Sequence, residues 1–327
     1  MQAMGFKFQE EALLETLTMD VIKSSEIEGE ILNPEQVRSS IARRLGIEVA
    51  GLIVAERTVD GVVEMMLDAT QQYEHPLTED RLFGWHGALF PTGRSGLHKI
   101  KVGGWREEVM QVTSGGMGQE KIHFEAPAPE QVPGEMQYFL SWMNSEQDLD
   151  PVIKAAVAHL WFVTIHPFDD GNGRIARAIA DLQLARADKS KQRFYSMSAQ
   201  LLKERNGYYD ILEHTQKGGL DITLWLEWFM DCLFRSMDYS EATIDKVLVR
   251  SRFWEINRHV EFNVRQHKMI HSLFEDFFGS LRVSTWAKMT RTSTDTALRD
   301  IQDLVDKGIL KREGSGRGTS YHLKSEK

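Results

Sequence analysis

Between two helical patterns the chain reads His166-Pro167-Phe168-Asp169-Asp170-Gly171-Asn172-Gly173-Arg174-Ile175-Ala176-Arg177. Upstream, Asp150 as cap and Pro151 at the first helical position open a helix over residues 151–165. Downstream, helical spacing resumes over 173–186, so the twelve residues join two helices. Gly171 and Gly173 let backbone N–H groups approach a ligand at a helix N-terminus, where the dipole and free amides favour phosphate. Arg174 and Arg177, three apart, share one helix face and can grip one polyphosphate. Asp170 is a hard oxygen ligand beside that cradle, as a Mg²⁺-bound nucleotide requires. His166 is the one side chain in the loop able to act as a base near neutrality. A glycine-rich helix start or a His-Pro pair alone has an ordinary packing explanation; base, carboxylate, glycines and two arginines within twelve residues do not.

Outward from this loop the pattern stays mainly helical. The spacing predicts helices over 8–26, from Asn33-Pro34 onward, loosely through 44–70, and after the cap-like His75-Pro76-Leu77-Thr78. Further helices are expected over 133–144, 197–203, 206–217 and 222–250. Between Gly93 and Pro133 the helical period disappears, and residues 105–113, the glycine-rich turn 114–118 and residues 121–125 read as strand, turn and strand. Beyond residue 265 come helices over 266–278, 284–289 and 294–307. Two short strands around Gly314-Ser315-Gly316-Arg317-Gly318 follow, and three helices with a two-stranded wing describe a winged helix-turn-helix.

Composition narrows the class. At 327 residues the chain exceeds one usual domain, and 42% hydrophobic with 27% charged residues excludes disordered and collagen-like chains. No apolar run approaches the ~20 residues of a membrane helix, and the first twenty residues hold four acids and no apolar block, so neither membrane span nor secretory signal is expected. One cysteine, Cys232, suits a reducing, cytoplasmic setting and reads as a buried small hydrophobe. The net charge of −9 is uneven: residues 265–327 hold 12 Lys+Arg against 8 Asp+Glu, the rest 27 against 40. An acidic body carries a mildly basic tail.

The loop resembles the Fic-domain signature H-P-F-x-[D/E]-G-N-G-R-x-x-R and matches it at every fixed position. The resemblance implies an all-α Fic helical bundle with a β-hairpin flap, and transfer of AMP from Mg·ATP to a hydroxyl of a target protein. It assigns His166 as the base that deprotonates a Ser, Thr or Tyr hydroxyl and Asp170 as the Mg²⁺ ligand. It gives the Gly171, Asn172 and Gly173 amides to the anion site, with the Asn172 side chain on the α-phosphate. Arg174 is assigned to the β-phosphate and Arg177 to the γ-phosphate. Phe168 is expected to point into the core. Met110, Gln111, Val112 and Thr113 resemble the flap that covers the nucleotide and receives an extended target segment by strand addition; an ordinary surface hairpin is the other reading. Tyr208, Tyr209 and Gln216 resemble the adenine-side wall.

Ser24 and Glu28 lie four apart near the end of the first helix, followed by Gly29. In a chain with this signature they resemble the inhibitory motif [S/T]-x-x-x-E-[G/N]. Glu28 is then expected to pair with Arg177 and place negative charge where the γ-phosphate belongs.

These readings divide the chain into an N-terminal helical region with the inhibitory motif (1–60), a catalytic body (61–250) and a winged-helix domain (251–327). The expected function is an autoinhibited protein adenylyltransferase acting on a target protein or itself. AMP removal, another nucleotidyl or phosphoryl transfer, and a DNA-binding regulator with a nucleotide-sensing body stand as alternatives. For the tail, protein docking or a homodimer ranks above DNA, because Asp295, Asp300, Asp303 and Asp306 on its third helix oppose a phosphate backbone.

Overall fold

The computed structural model describes residues 6–48, 51–114, 121–146, 148–274, 281–315 and 319–324. Packing divides the chain into two units, Met1–Ile244 and Asp245–Lys327. The first unit is helical: α1 Phe6–Ile27, α2 Pro34–Leu45, α3 Arg57–Gln71, α4 Glu79–Leu89, α5 Val132–Asn144, α6 Pro151–Ile165, α7 Asn172–Asp188, α8 Met197–Lys203 and α9 Arg205–Lys217. α10 Thr223–Ile256 begins in this unit and runs past its boundary. Two antiparallel pairs interrupt the helices, β1 Arg94–Ser95 with β2 His98–Lys99, and β3 Gln111–Ser114 with β4 Lys121–Glu125.

Local chemistry starts the helices where the sequence places it. Asn33 Oδ1 accepts the Glu35 and Gln36 amides, Thr78 Oγ1 the Arg81 amide, and Asp150 Oδ1 the Val152 and Ile153 amides. The loose helical reading over 44–70 is corrected: α2 stops at Leu45, where Gly46 takes the left-handed conformation that closes a helix, and α3 begins only at Arg57.

At the centre lies α7, in which Asn172 and every residue from Arg174 to Ala185 is buried. Small side chains let it approach α6 closely: Ala155, Ala156 and Ala158 on one helix, Ala176, Ala178 and Ala180 on the other, all buried. Leu14, Leu17 and Val21 of α1 join the same apolar cluster as Val63, Phe162 and Ile175, so the N-terminal helix shares the body's core. Removing α1 exposes that cluster. A helix buried on all sides must pair its polar groups, and α7 carries Arg174, Arg177 and Asp181. Arg193 lies 2.6 Å from Asp181 and 3.3 Å from Asp20 of α1, while Ser196 Oγ donates to Asp20 at 2.5 Å. This buried network ties α1 to α7.

The expected strand over 105–113 is shorter than its pattern. β3 starts at Gln111, and its pairing with β4 shifts register between Val112 and Thr113. Trp105 and Arg106 serve the signature loop instead, as described below. Residues 115–118 of the expected turn lie outside the described residues. Cys232 is fully buried and its thiol is pushed up to about 12 by desolvation, which leaves it without nucleophilic character.

In the second unit α11 Val264–Phe274, α12 Val283–Thr290 and α13 Thr294–Asp306 precede an antiparallel pair, β5 Leu310–Glu313 and β6 Ser320–Leu323. Its core gathers Met269, Ile270, Leu281, Trp286, Ile301, Leu304 and Tyr321. Asp300 of α13 is buried against Arg265 at 2.7 Å, and Asp303 accepts from Gln266 and Lys307. Two of the four acids read as repelling DNA therefore hold the unit together. Gly316, Arg317 and Gly318 of the expected wing turn lie outside the described residues.

Candidate active site

His166 caps α6 in a left-handed conformation (φ 52°, ψ 57°), which turns the chain sharply into the loop. Its Nδ1 lies 3.1 Å from the Val163 carbonyl oxygen, a group that only accepts, so Nδ1 carries the proton and Nε2 presents a lone pair. Burial holds the imidazole below its ordinary pKa, with Val163 opposing the shift and the Arg106 charge adding to it. The ring is thus neutral at physiological pH, the state a base requires.

Arg106 holds the loop from outside. Its amide donates to Pro167 O at 2.9 Å and its Nε to His166 O at 2.8 Å, while NH1 and NH2 donate to Glu108 O at 2.8 Å and Pro127 O at 2.5 Å. One guanidinium ties the His166 backbone to the approach and exit of the hairpin. Arg106→Ala strips donors from three carbonyls and is expected to cost on the order of 3 kcal/mol, read as a lower denaturant midpoint. Lysine, a point charge without the planar fork, restores little of it.

Phe168 is fully buried, stacked on His86 with centroids 4.2 Å apart and beside Trp105 at 5.2 Å. Asn172 closes the loop from within: its Oδ1 accepts the Phe168 amide at 3.0 Å and its Nδ2 donates to Phe168 O at 2.8 Å. Both of these bonds are to the loop's own backbone, and the amide keeps a second Nδ2–H for the expected α-phosphate contact. What faces outward is the start of α7, whose first amides have no acceptor within the helix.

Gly171 stands in the left-handed region (φ 81°), and a Cβ there would lie 2.9 Å from the Phe90 ring. Asp170 accepts the Gly171 amide at 2.6 Å through Oδ1 and the Ser95 hydroxyl through Oδ2. At Gly173 a Cβ would fall 2.1 Å from Glu28 Oε1, so a carboxylate already fills the space over the helix N-terminus. Glu28 Oε1 also lies 2.8 Å from NH1 of Arg177, whose Nε donates to Ser24 Oγ at 2.9 Å and NH2 to Ser24 O at 2.8 Å. Burial opposes the Arg177 charge, yet the adjacent Glu28 raises its pKa above the ordinary value. Arg174 lies over the Phe90 ring at 5.1 Å, with NH1 2.6 Å from Glu30 Oε2.

Residues 76–184 match the Fic/DOC family, and residues 1–47 match a domain of unknown function (DUF4172). Residues 76–184 are thus similar to a Fic domain. The chain is 37% identical over 114 residues to the protein adenylyltransferase Fic of Aedes aegypti, which spans 34% of this chain and 21% of that protein. With the corresponding Drosophila grimshawi protein it shares 38% over 122 residues, 36% of this chain and 24% of the relative. The chain thus matches about a fifth to a quarter of the length of these curated relatives. Among solved structures, a Fic family protein from Desulfovibrio desulfuricans superimposes with a TM-score of 0.55 at 18% identity, covering 100% of this chain and 90% of the other. A Fic-domain-containing signalling protein from Bacteroides thetaiotaomicron gives 0.56 at 23% identity over 75% and 92%. The likeness to solved structures is one of fold.

Around the Fic loop the remaining expected residues separate. Met110 O accepts the Ala126 amide at 3.0 Å, Gln111 Nε2 donates to Glu125 Oε2 at 2.9 Å, and Val112 pairs with Phe124. β3 pairs on one edge with β4 alone among the described residues. The Thr113 side chain lies outside the described residues, although its backbone pairs with Ile122. Tyr208, expected at the adenine-side wall, is buried, with its hydroxyl 2.8 Å from His159 Nε2 and its ring beside Trp228. Tyr209 is partly exposed, with Arg205 near its ring, and Gln216 Nε2 donates to Thr164 Oγ1 at 3.2 Å. Sequence reasoning missed Arg106, Ser95, His86 and Glu30. Only Glu30 left a signal, as an acid two residues past Glu28.

Two further buried histidines contribute to the pH dependence of stability. Burial lowers His86 to about 4 and His159 to about 3, below the 6.5 of an open chain. Between those values the folded state binds fewer protons than the unfolded one, so stability is full above pH 6.5 and is lost on acidification. For His86 alone the loss from pH 7 to 5 is about 2 kcal/mol. Buried Asp181, raised to about 7, acts in the opposite sense over the same window, so the test is a comparison: urea titrations at the two pH values are expected to show a smaller loss on acidification in His159→Gln than in wild type, and equal dependences contradict it.

Proposed function

We propose that this chain is an autoinhibited protein adenylyltransferase, transferring AMP from Mg·ATP to a Ser, Thr or Tyr hydroxyl of a target protein and releasing pyrophosphate. The observation that carries this reading is one loop that sets a neutral imidazole with a free Nε2 against a helix N-terminus and two buried arginines. The names of the curated relatives support the same activity.

In this reading His166 Nε2 takes the proton of the acceptor hydroxyl, while the Nδ1–H bond to Val163 keeps the tautomer fixed. The α7 amides and the two guanidinium groups stabilise the charge on the departing pyrophosphate. Asp170 fits a Mg²⁺ site of the kind completed by substrate phosphates: one carboxylate, oriented by Ser95 and the Gly171 amide, beside the anion cradle. No group of three or more protein ligands accompanies it among the described residues. Bound there, the ion would draw charge from the phosphate oxygens. The unpaired edge of β3 receives the target segment by main-chain bonds. Glu28 and Ser24 hold Arg177, so the wild-type protein aligns ATP poorly. The second unit is a winged helix-turn-helix, and it docks a protein, the target or a second copy.

The test is Glu28→Gly protein incubated with Mg·ATP and read by intact mass. An added AMP on the protein itself or on a lysate protein supports the reading. Phosphate addition, or no addition, moves it to phosphotransfer or to AMP removal from a modified target.

A further inference from the structure

α1 ends in a turn that places two carboxylates on the two arginines. The Glu28 and Glu30 amides both return to Ser25 O, at 3.1 and 3.0 Å, and between them Gly29 adopts φ 84°. That left-handed residue lets side chains two apart reach Arg177 and Arg174, which lie three apart on α7. The two contacts differ in setting. Arg174 is 3% exposed at its side chain, while Glu30 is 46% exposed and Glu28 31%. Arg174 Nε is buried with no acceptor among the described residues, so Glu30 satisfies only one end of that guanidinium. A buried cation with an idle donor and a half-solvated partner is the weaker of the two pairs.

We propose that Glu30 is a specificity-determining residue that acts separately from Glu28: the 28–30 turn occupies both arginines as two adjacent phosphates of a nucleotide would. Displacing Glu30 admits a diphosphate, and displacing Glu28 in addition admits the third phosphate. This rests on the reading of the loop as a nucleoside-polyphosphate site. It predicts a pattern across nucleotides that a single blocking residue does not give. Removing the Glu30 charge helps ADP and ATP alike and leaves AMP unaffected. Removing the Glu28 charge helps ATP over ADP.

The experiment is calorimetric titration of AMP, ADP and ATP, each with Mg²⁺, into wild type, Glu30→Gln, Glu28→Gln and the double variant. Glu30→Gln keeps size and hydrogen-bonding capacity, and thermal unfolding confirms that it folds. We expect ADP and ATP to tighten about five- to tenfold in Glu30→Gln with AMP unchanged. In the double variant ATP tightens further than ADP. Equal gains for all three nucleotides, or no gain in Glu30→Gln while Glu28→Gln binds ATP more tightly than wild type, overturn the proposal and leave the nucleotide reading intact. Binding of no nucleotide to any variant overturns both.

Discussion

In a Glu28→Gly background, His166→Ala is expected to lower AMP transfer between about a hundredfold and ten-thousandfold, the range contributed by a positioned base. ATP affinity should change little, because the side chain bonds Val163 and no arginine or loop amide depends on it. The arginines and the α7 N-terminus remain, so residual transfer above the uncatalysed rate is expected from charge stabilisation alone. The pH profile sharpens the test. Burial lowers the His166 pKa, so the base stays deprotonated below the usual histidine midpoint and transfer persists into mildly acidic solution. A variant that loses transfer and ATP binding together indicates a collapsed loop; one that keeps full transfer removes His166 as the base.

Glu28→Gly itself is expected to raise transfer roughly a hundredfold at saturating ATP. The carboxylate is not a distant regulator: it lies 2.8 Å from Arg177 NH1 and within 2.1 Å of where a Cβ on Gly173 would stand. In the proposed reading the γ-phosphate belongs in that volume, so ATP would enter with its phosphates displaced. Removing the side chain frees both the space and the charge. Ser24 still accepts from Arg177, so the guanidinium keeps its orientation for the incoming phosphate. Equal rates for the two proteins across an ATP titration contradict the brake.

What the sequence carried and what it withheld divide by distance along the chain. The twelve-residue loop was legible because base, carboxylate, glycines and arginines are contiguous. The caps Asn33, Thr78 and Asp150 were legible because each acts on amides within three residues. Glu28 was legible through a motif, and its partner lies where that motif implies. Arg106 was not: its role depends on a 60-residue return to His166 O, and read locally it was only the start of a strand. Glu30 meets Arg174 across 144 residues. The packing of Tyr208 was not legible either. An aromatic on a helix near a nucleotide site reads as a wall, and only the packing of α6 and α9 shows it facing His159. Asn172 likewise turned inward because the loop's own backbone needed its amide.

Both carboxylates reach the arginines on the same polypeptide, and two turns upstream Asp20 is held by Arg193 and Ser196 within the core. Their effective concentration at the arginines is therefore a property of the fold, whereas ATP arrives from bulk solution. Dilution alone does not loosen a contact made within one chain. Opening this contact within one chain is a first-order event, and by itself it brings no dependence on protein concentration.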